Sequence, residues 1–250
     1  MGGVTTGFVG DLTVAEFRAE YWRRRPLFVR GGGRDLIDAR VSGDEFERLA
    51  TQVAVASPAH VRRRGSQVTF VENVSQVSER LQRLARALAE ALDCPSVWVD
   101  GVLARDGRSI GCHYDDSDNF VVQQTGEKLW RLHDPSIVPV EALRRRMLGD
   151  PTAGAIEMPD DCIEFVLEPG DLLYIPLFWP HHGISRGPSF SLSLVCNTTN
   201  ALALALPLLI DLMAHDPWWW QPLPAGEQIE HDELVDRLVM ALPARRLAQR

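Results

Sequence analysis

No C-x-x-C pair occurs among the four cysteines, Cys94, Cys112, Cys162 and Cys196. Their wide spacing gives neither a zinc knuckle nor a disulfide framework, and a reducing cytoplasm is the expected compartment. Positive charge is also short: 26 Lys and Arg stand against 34 Asp and Glu, a formal charge of −8. A protein built to grip a nucleic-acid backbone needs the opposite balance. The arginine triplets at 23 to 25, 62 to 64 and 144 to 146 are isolated from one another and read as solvated faces of helices and loops. Long apolar runs are missing too. MGGVTTGFVGDLTVAEF lacks the basic start and apolar stretch of a signal peptide, and ALALALPLLIDLMA is short and broken by Pro207 and Asp211, so no membrane span is expected. There is no internal repeat or low-complexity block.

What is present is an ordinary globular composition, 45% hydrophobic over 250 residues, enough to bury a sizeable core. Residues 12 to 25 read as an amphipathic helix, and PLFVRGG as a short strand closed by glycines. A second helix is expected at SGDEFERLA, capped by Ser42 with Glu45 three residues on. A third follows at SERLQRLARALAEALD, where Leu81, Leu84, Leu88 and Leu92 repeat at helical spacing. From Val97 to about Thr198 the texture changes to short runs punctuated by Gly, Pro and Asp: SVWVDGVL, SIGCHYD, NFVVQQTG, EKLWRLHDP, CIEFVLEPGD, LLYIPLFWP and SFSLSLVCN. That texture predicts an antiparallel sandwich or small barrel. Helical patterns return after Leu202, interrupted by HDPWWWQPLPAG and ending in HDELVDRLVMAL. The fold class is therefore mainly β with helical additions at both ends.

Chemistry concentrates in three places. In GCHYDDSDNF, His113 and Asp115 are two apart, and on a strand both side chains would project from one face. H-x-D alone is a weak signal, equally at home in a surface turn. A second site follows in EPGDLLYIPLFWPHHG, where a Pro169-Gly170-Asp171 turn feeds a strand expected to end in His181 and His182. Two histidines and one carboxylate give the facial ligand set that leaves three positions open on an iron ion. In EKLWRL, after the Thr125-Gly126 turn signal, Lys128, Trp130 and Leu132 share one strand face. A lysine facing a dry interior is costly unless an anion meets it, and the distal carboxylate of 2-oxoglutarate would serve. The alternative is that Lys128 faces solvent and Glu127 faces in.

These stretches together, H-Y-D (113 to 115), Asn119-Phe120, Q-Q-T-G-E-K-L-W (123 to 130) and P-G-D-L-L-Y-I-P-L-F-W-P-H (169 to 181), resemble the JmjC-domain hydroxylases, in particular their cupin-like, ribosomal-oxygenase-like branch. F-x-x-x-Y-W-R-R-R-P-L-F-V-R-G (17 to 31) is similar to the segment leading into that fold, so the resemblance covers roughly residues 12 to 197. It implies a double-stranded β-helix (jelly-roll, cupin/JmjC) core over residues 1–200 with N-terminal helices. Apart from the resemblance, residues 201–250 are expected to form a helical C-terminal extension, which the apolar surface of Leu202 to Met213 makes a candidate dimerisation element. The resemblance also implies that His113, Asp115 and His181 bind Fe(II), that Lys128 binds 2-oxoglutarate, and that Asn119, Ser191 and Ser193 lie around the cosubstrate. His182 is expected outside the ligand set. The implied activity is a 2-oxoglutarate-dependent dioxygenase that hydroxylates a protein or peptide side chain with O₂, releasing succinate and CO₂. Demethylation of N-methyl groups would use the same chemistry. The alternatives are an oxygenase acting on a small molecule or precursor peptide, and a non-catalytic ligand-binding cupin, which the intact ligands and Lys128 speak against. One departure stands out: many relatives carry a threonine or serine three residues before the first ligand, where this chain has Ile110, with Ser109 one step earlier. His133 is read as satisfying a local turn, the three tryptophans 218 to 220 as packing, and His60, His215 and His231 as belonging to no motif.

Overall fold

The computed structural model describes residues 8–36, 41–65, 67–198, 201–226 and 228–244. The chain forms two compact units, Met1–Thr198 and Thr199–Arg250. In the first, helices α1 (Val14–Glu20), α2 (Gly33–Leu36), α3 (Gly43–Ala56), α4 (Glu79–Leu92) and α5 (Val140–Met147) accompany eight strands. These are β1 (Leu27–Val29), β2 (Val61–Arg64), β3 (Val68–Val71), β4 (Val97–Ala104), β5 (Asp118–Leu132), β6 (Ile163–Leu167), β7 (Leu172–Ile175) and β8 (His181–Cys196). Every pairing is antiparallel, in the order β1-β7-β5-β8-β4-β3-β2, with β6 also on β5. The second unit holds α6 (Ala201–Met213) and α7 (His231–Ala244), with Trp218 packed edge-on against Trp219 and under Arg237. Among the described residues no helix is long and apolar enough to cross a membrane.

The two long strands explain how one sheet serves two environments. Along β8, Phe190, Leu192, Leu194 and Cys196 are fully buried in a core shared with Phe17, Phe46, Leu81, Leu88 and Leu92 from the helices. The alternate residues Ser191, Ser193 and Val195 line a cavity on the other face. This is the period-two alternation of a strand read directly from SFSLSLVC. β5 divides the same way, with Phe120 and Val122 toward the helices and Asn119 and Val121 toward the cavity. A smaller apolar cluster of Val121, Trp130, Leu132, Leu167, Leu173, Ile175 and Trp179 closes the β5–β6–β7 end.

Several expectations are corrected. The N-terminal helix stops at Glu20, short of residue 25, because Arg23 takes a left-handed φ of +59°. Its N–H donates to the Tyr174 hydroxyl at 2.8 Å and its Nε to buried Asp118 Oδ2 at 3.0 Å, and these bonds turn the chain onto the sheet. Thr125-Gly126 is not a turn but a register irregularity inside one continuous 15-residue strand. Gly126 is required there: at φ +64°, a Cβ would lie 2.1 Å from the Pro188 carbonyl oxygen. His181 does not end a strand; Leu172–Ile175 stops earlier, and His181 opens β8 after the Pro176–Pro180 corner. The hairpin β2–β3 and the helix α5 were not among the expected elements. The arginine triplet in β2 therefore alternates, with Arg63 reaching Glu47 on α3 at 3.0 Å while Arg62 and Arg64 face the cavity.

Candidate metal and anion centre

The cavity on the inner face of the sheet is about 520 Å³. His113, Asp115, Asn119, Lys128, His181, Ser191 and Ser193 all line it. His113 and Asp115 do not sit on a strand. Their segment is a loop joined to the head of β8 by a single antiparallel bridge, in which His113 N–H donates to His181 O at 3.1 Å and His181 N–H to His113 O at 2.8 Å. That backbone pair brings two histidines 68 positions apart in sequence to a ring separation of 4.3 Å.

Each imidazole is oriented by its own backbone. His113 Nδ1 lies 3.0 Å from Gly111 O, and His181 Nδ1 lies 2.9 Å from Trp179 O. A carbonyl accepts only, so both Nδ1 atoms carry hydrogen, which leaves Nε2 as the atom each ring can offer to a metal. Those Nε2 atoms face Asp115 Oδ2 at 3.9 Å and 3.6 Å. Burial, reinforced by the neighbouring His113, pushes His181 down to about 4 against the pull of Asp115, so its ring is neutral at physiological pH. Burial alone would raise the Asp115 carboxyl, but His113, His181, Arg146 and the bond from Asn119 outweigh it and hold the group below its ordinary value. The donor atoms of His113, Asp115 and His181 lie within 4.8 Å of one another. Two imidazoles and an anionic oxygen with converging donor atoms, desolvated on one wall, fit a divalent metal.

Asn119 ties this cluster to the sheet. Its Nδ2 donates to Asp115 Oδ2 at 3.2 Å and its Oδ1 accepts from Ser193 Oγ at 3.3 Å. Lys128 is the only lysine in the sequence and is only 3% exposed. Its Nζ donates to Ser191 Oγ at 3.2 Å and lies 5.1 Å from the Trp130 ring centroid. Among the described residues no carboxylate pairs with it, and burial pushes its ammonium down to about 8. Gly183 makes the room: a Cβ there would meet Lys128 Cε at 2.9 Å and the Trp130 ring at 3.0 Å. A buried ammonium without a counter-ion is expensive, and this one is aimed into a cavity where an anion can supply the missing charge.

At the position where an isoleucine replaces the expected hydroxyl, it is Ile110 that lines the cavity; the Ser109 hydroxyl turns back to accept from Gly111 N–H at 2.9 Å. His182 is half-buried, absent from the cavity lining, and held below its ordinary value by burial and Arg131. His133 accepts a local role, with Nδ1 2.9 Å from Asp134 O. Among the cavity residues that the sequence did not single out are Asp100, Trp98, Val102 and Arg146. Asp100 accepts from Asn73 N–H at 2.8 Å and is pushed up to about 8 by burial, with Glu72 and Asp115 adding to it. Trp98 and Val102 stand beside it on the same face, an alternation in W-x-D-x-V that was there to be read. Arg146 contradicts the solvated reading of its triplet: it is mostly buried, 3.0 Å from Asp116 Oδ1.

Comparison with known proteins agrees with this geometry. A JmjC domain model matches residues 72–204. The uL16 3-hydroxylase of ribosomes from Escherichia coli K12 is 27% identical across 67% of this chain and 48% of its own length. The bifunctional lysine-specific demethylase and histidyl-hydroxylase NO66 of Drosophila persimilis is 25% identical across 81% of this chain and 33% of its own. The chain thus spans about half or less of the length of these relatives. The solved structure of the Escherichia coli ribosomal oxygenase YcfD in complex with cobalt and 2-oxoglutarate superposes with a TM-score of 0.62 at 20% identity, covering 94% of this chain and 68% of that one, which is a likeness of fold. The model match covers more than half of the sequence, and the protein belongs to the JmjC-domain family.

Proposed function

We propose that this protein is an Fe(II)- and 2-oxoglutarate-dependent oxygenase that hydroxylates a side chain of a protein or peptide. The observation that carries the reading is the pairing, in one cavity, of a three-donor metal cluster with a buried ammonium that has no carboxylate partner. In this reading His113 Nε2, Asp115 Oδ2 and His181 Nε2 hold the iron. Lys128 Nζ, with Ser191, receives the distal carboxylate of 2-oxoglutarate, and Asn119 and Ser193 keep Asp115 in register. Bound iron and 2-oxoglutarate supply the oxidising chemistry, using O₂ to release succinate and CO₂ and to insert one oxygen atom into a C–H bond. The chain contributes orientation and exclusion of water. Val121, Trp130, Ile175 and Val195 are apolar walls of the cavity, and no proton-transfer group is required of the protein.

The relatives named above point to a polypeptide substrate, and the bacterial one to a ribosomal protein. Incubating the enzyme with Fe(II), ascorbate, 2-oxoglutarate and stripped bacterial ribosomal proteins should add 16 Da to one of them, read by intact-protein mass spectrometry. Succinate formed with no mass gain in any protein would move the substrate to a small molecule. The cytoplasm is the compartment the unpaired thiols favour. The catalytic domain is taken as residues 1–200, with 201–250 as a helical extension that pairs two subunits. Leu204, Leu206, Leu208 and Ile210 support this by leaving α6 with exposed apolar side chains. Sedimentation equilibrium should then report a dimer; a monomer at micromolar concentration contradicts the pairing.

A further inference from the structure

Arg146 stands in the cavity wall although it belongs to none of the strands. It is carried by α5, and the residues after that helix are fastened to the ligand-bearing loop. Tyr114 N–H donates to Gly154 O at 2.9 Å, and its hydroxyl donates to Ala153 O. His113 and Ala155 form an antiparallel bridge, and Ile156 N–H donates to Cys112 O at 3.4 Å. Between helix and bridge, Arg145 Nε binds Asp150 Oδ2 at 2.9 Å, and Asp150 Oδ1 accepts from Thr152 N–H at 2.9 Å. The guanidinium is therefore delivered on a frame braced against residues 112 to 114. Its Nη2 lies 3.0 Å from Asp116 Oδ1 and 3.9 Å from Asp115 Oδ1, while its buried Nε has no acceptor among the described residues.

The two oxygens of Asp115 have different partners. Oδ2 faces both imidazoles and the Asn119 amide, and Oδ1 faces Arg146. Resting on the functional reading above, we propose that Arg146 is a positioning residue that keeps Asp115 on the metal through Oδ2 alone. A carboxylate binding through both oxygens would take one of the three positions that a two-histidine, one-carboxylate set leaves open. The keto acid and O₂ need all three. An arginine suits this duty because its planar guanidinium can face two carboxylates at once, and Asp116 Oδ1 anchors its Nη2 at 3.0 Å.

The test uses the full chain loaded with Co(II), an air-stable probe. Removing the partner that orients a metal ligand costs about ten- to a hundredfold, so Arg146→Gln should weaken 2-oxoglutarate binding to the Co(II) protein by that factor and shift its visible d–d absorption. Arg146→Lys, which restores the charge, should recover most of both. Wild-type affinity and spectrum in Arg146→Gln overturn the inference while leaving the oxygenase reading intact. A wild type that does not bind Co(II) and 2-oxoglutarate together sinks that reading and the inference with it. Should Arg146→Gln fail to fold, the infrared carboxylate splitting of Co(II)-loaded wild type decides: a one-oxygen pattern is expected, and a two-oxygen pattern refutes the role of Arg146.

Discussion

Lys128→Met should weaken 2-oxoglutarate binding by roughly thirty- to five-thousandfold while making the ligand-free protein more stable. The two effects have one cause. Removing one partner of a buried, hydrogen-bonded charge pair costs about 2–5 kcal/mol, which is that range in affinity. Without the anion, however, the same ammonium is a liability: burial moves it from an ordinary 10.5 to about 8, a gap on the order of 3 kcal/mol at 1.36 kcal/mol per pH unit. Methionine fills similar space without the charge. A gain of about 1–3 kcal/mol would raise Tm by a few degrees in a chain of this size. The pH dependence fixes the sign. The folded state binds fewer protons at Lys128 than the unfolded state between about 8 and 10.5, so ligand-free wild type gains stability as pH rises through that window. Affinity for 2-oxoglutarate runs the other way, flat below about pH 8 and falling about tenfold per unit above it, because the cavity must then take up a proton to hold the dianion. Calorimetry across pH checks both, and the methionine variant should lack both dependences. A variant that binds 2-oxoglutarate as wild type does would remove Lys128 from the site.

The second large effect is at the donor cluster. His181→Ala and Asp115→Ala should each reduce 2-oxoglutarate turnover to the level of wild type treated with a chelator, since two donors on an open wall hold a divalent ion poorly. His182→Ala is the internal control. It removes an imidazole one residue away that does not line the cavity, so turnover should stay within a factor of about two, as for an ordinary surface change. Equal losses in His181→Ala and His182→Ala would show that the corner, rather than the ligand, is being damaged.

Much of this site was legible in the sequence because strands write their faces in alternation. SFSLSLVC separates the serines of the cavity from the apolar residues of the core, and K-x-W-x-L places Lys128 inside with Trp130 and Leu132. Glu127, the competing inward candidate, is exposed. What the sequence hid is non-local. His113 and Asp115 converge with His181 because of one backbone bridge to the head of β8, not because a strand aligns them. The N-terminal helix is cut short by Asp118 and Tyr174, nearly a hundred residues and more away. Arg146 looked like one of three solvated arginines, since nothing in VEALRRRM says that residues 153 to 156 will fasten its helix beside the ligand loop.

The most direct test of the central claim is anaerobic titration of the protein with Fe(II) and then 2-oxoglutarate, recorded in the visible region for wild type and His113→Ala. The account predicts the weak charge-transfer absorption of a keto acid chelated to iron in wild type and its loss in the variant. No such absorption in wild type that has taken up Fe(II) would contradict the oxygenase reading and leave a cupin that binds its ligands without reacting them.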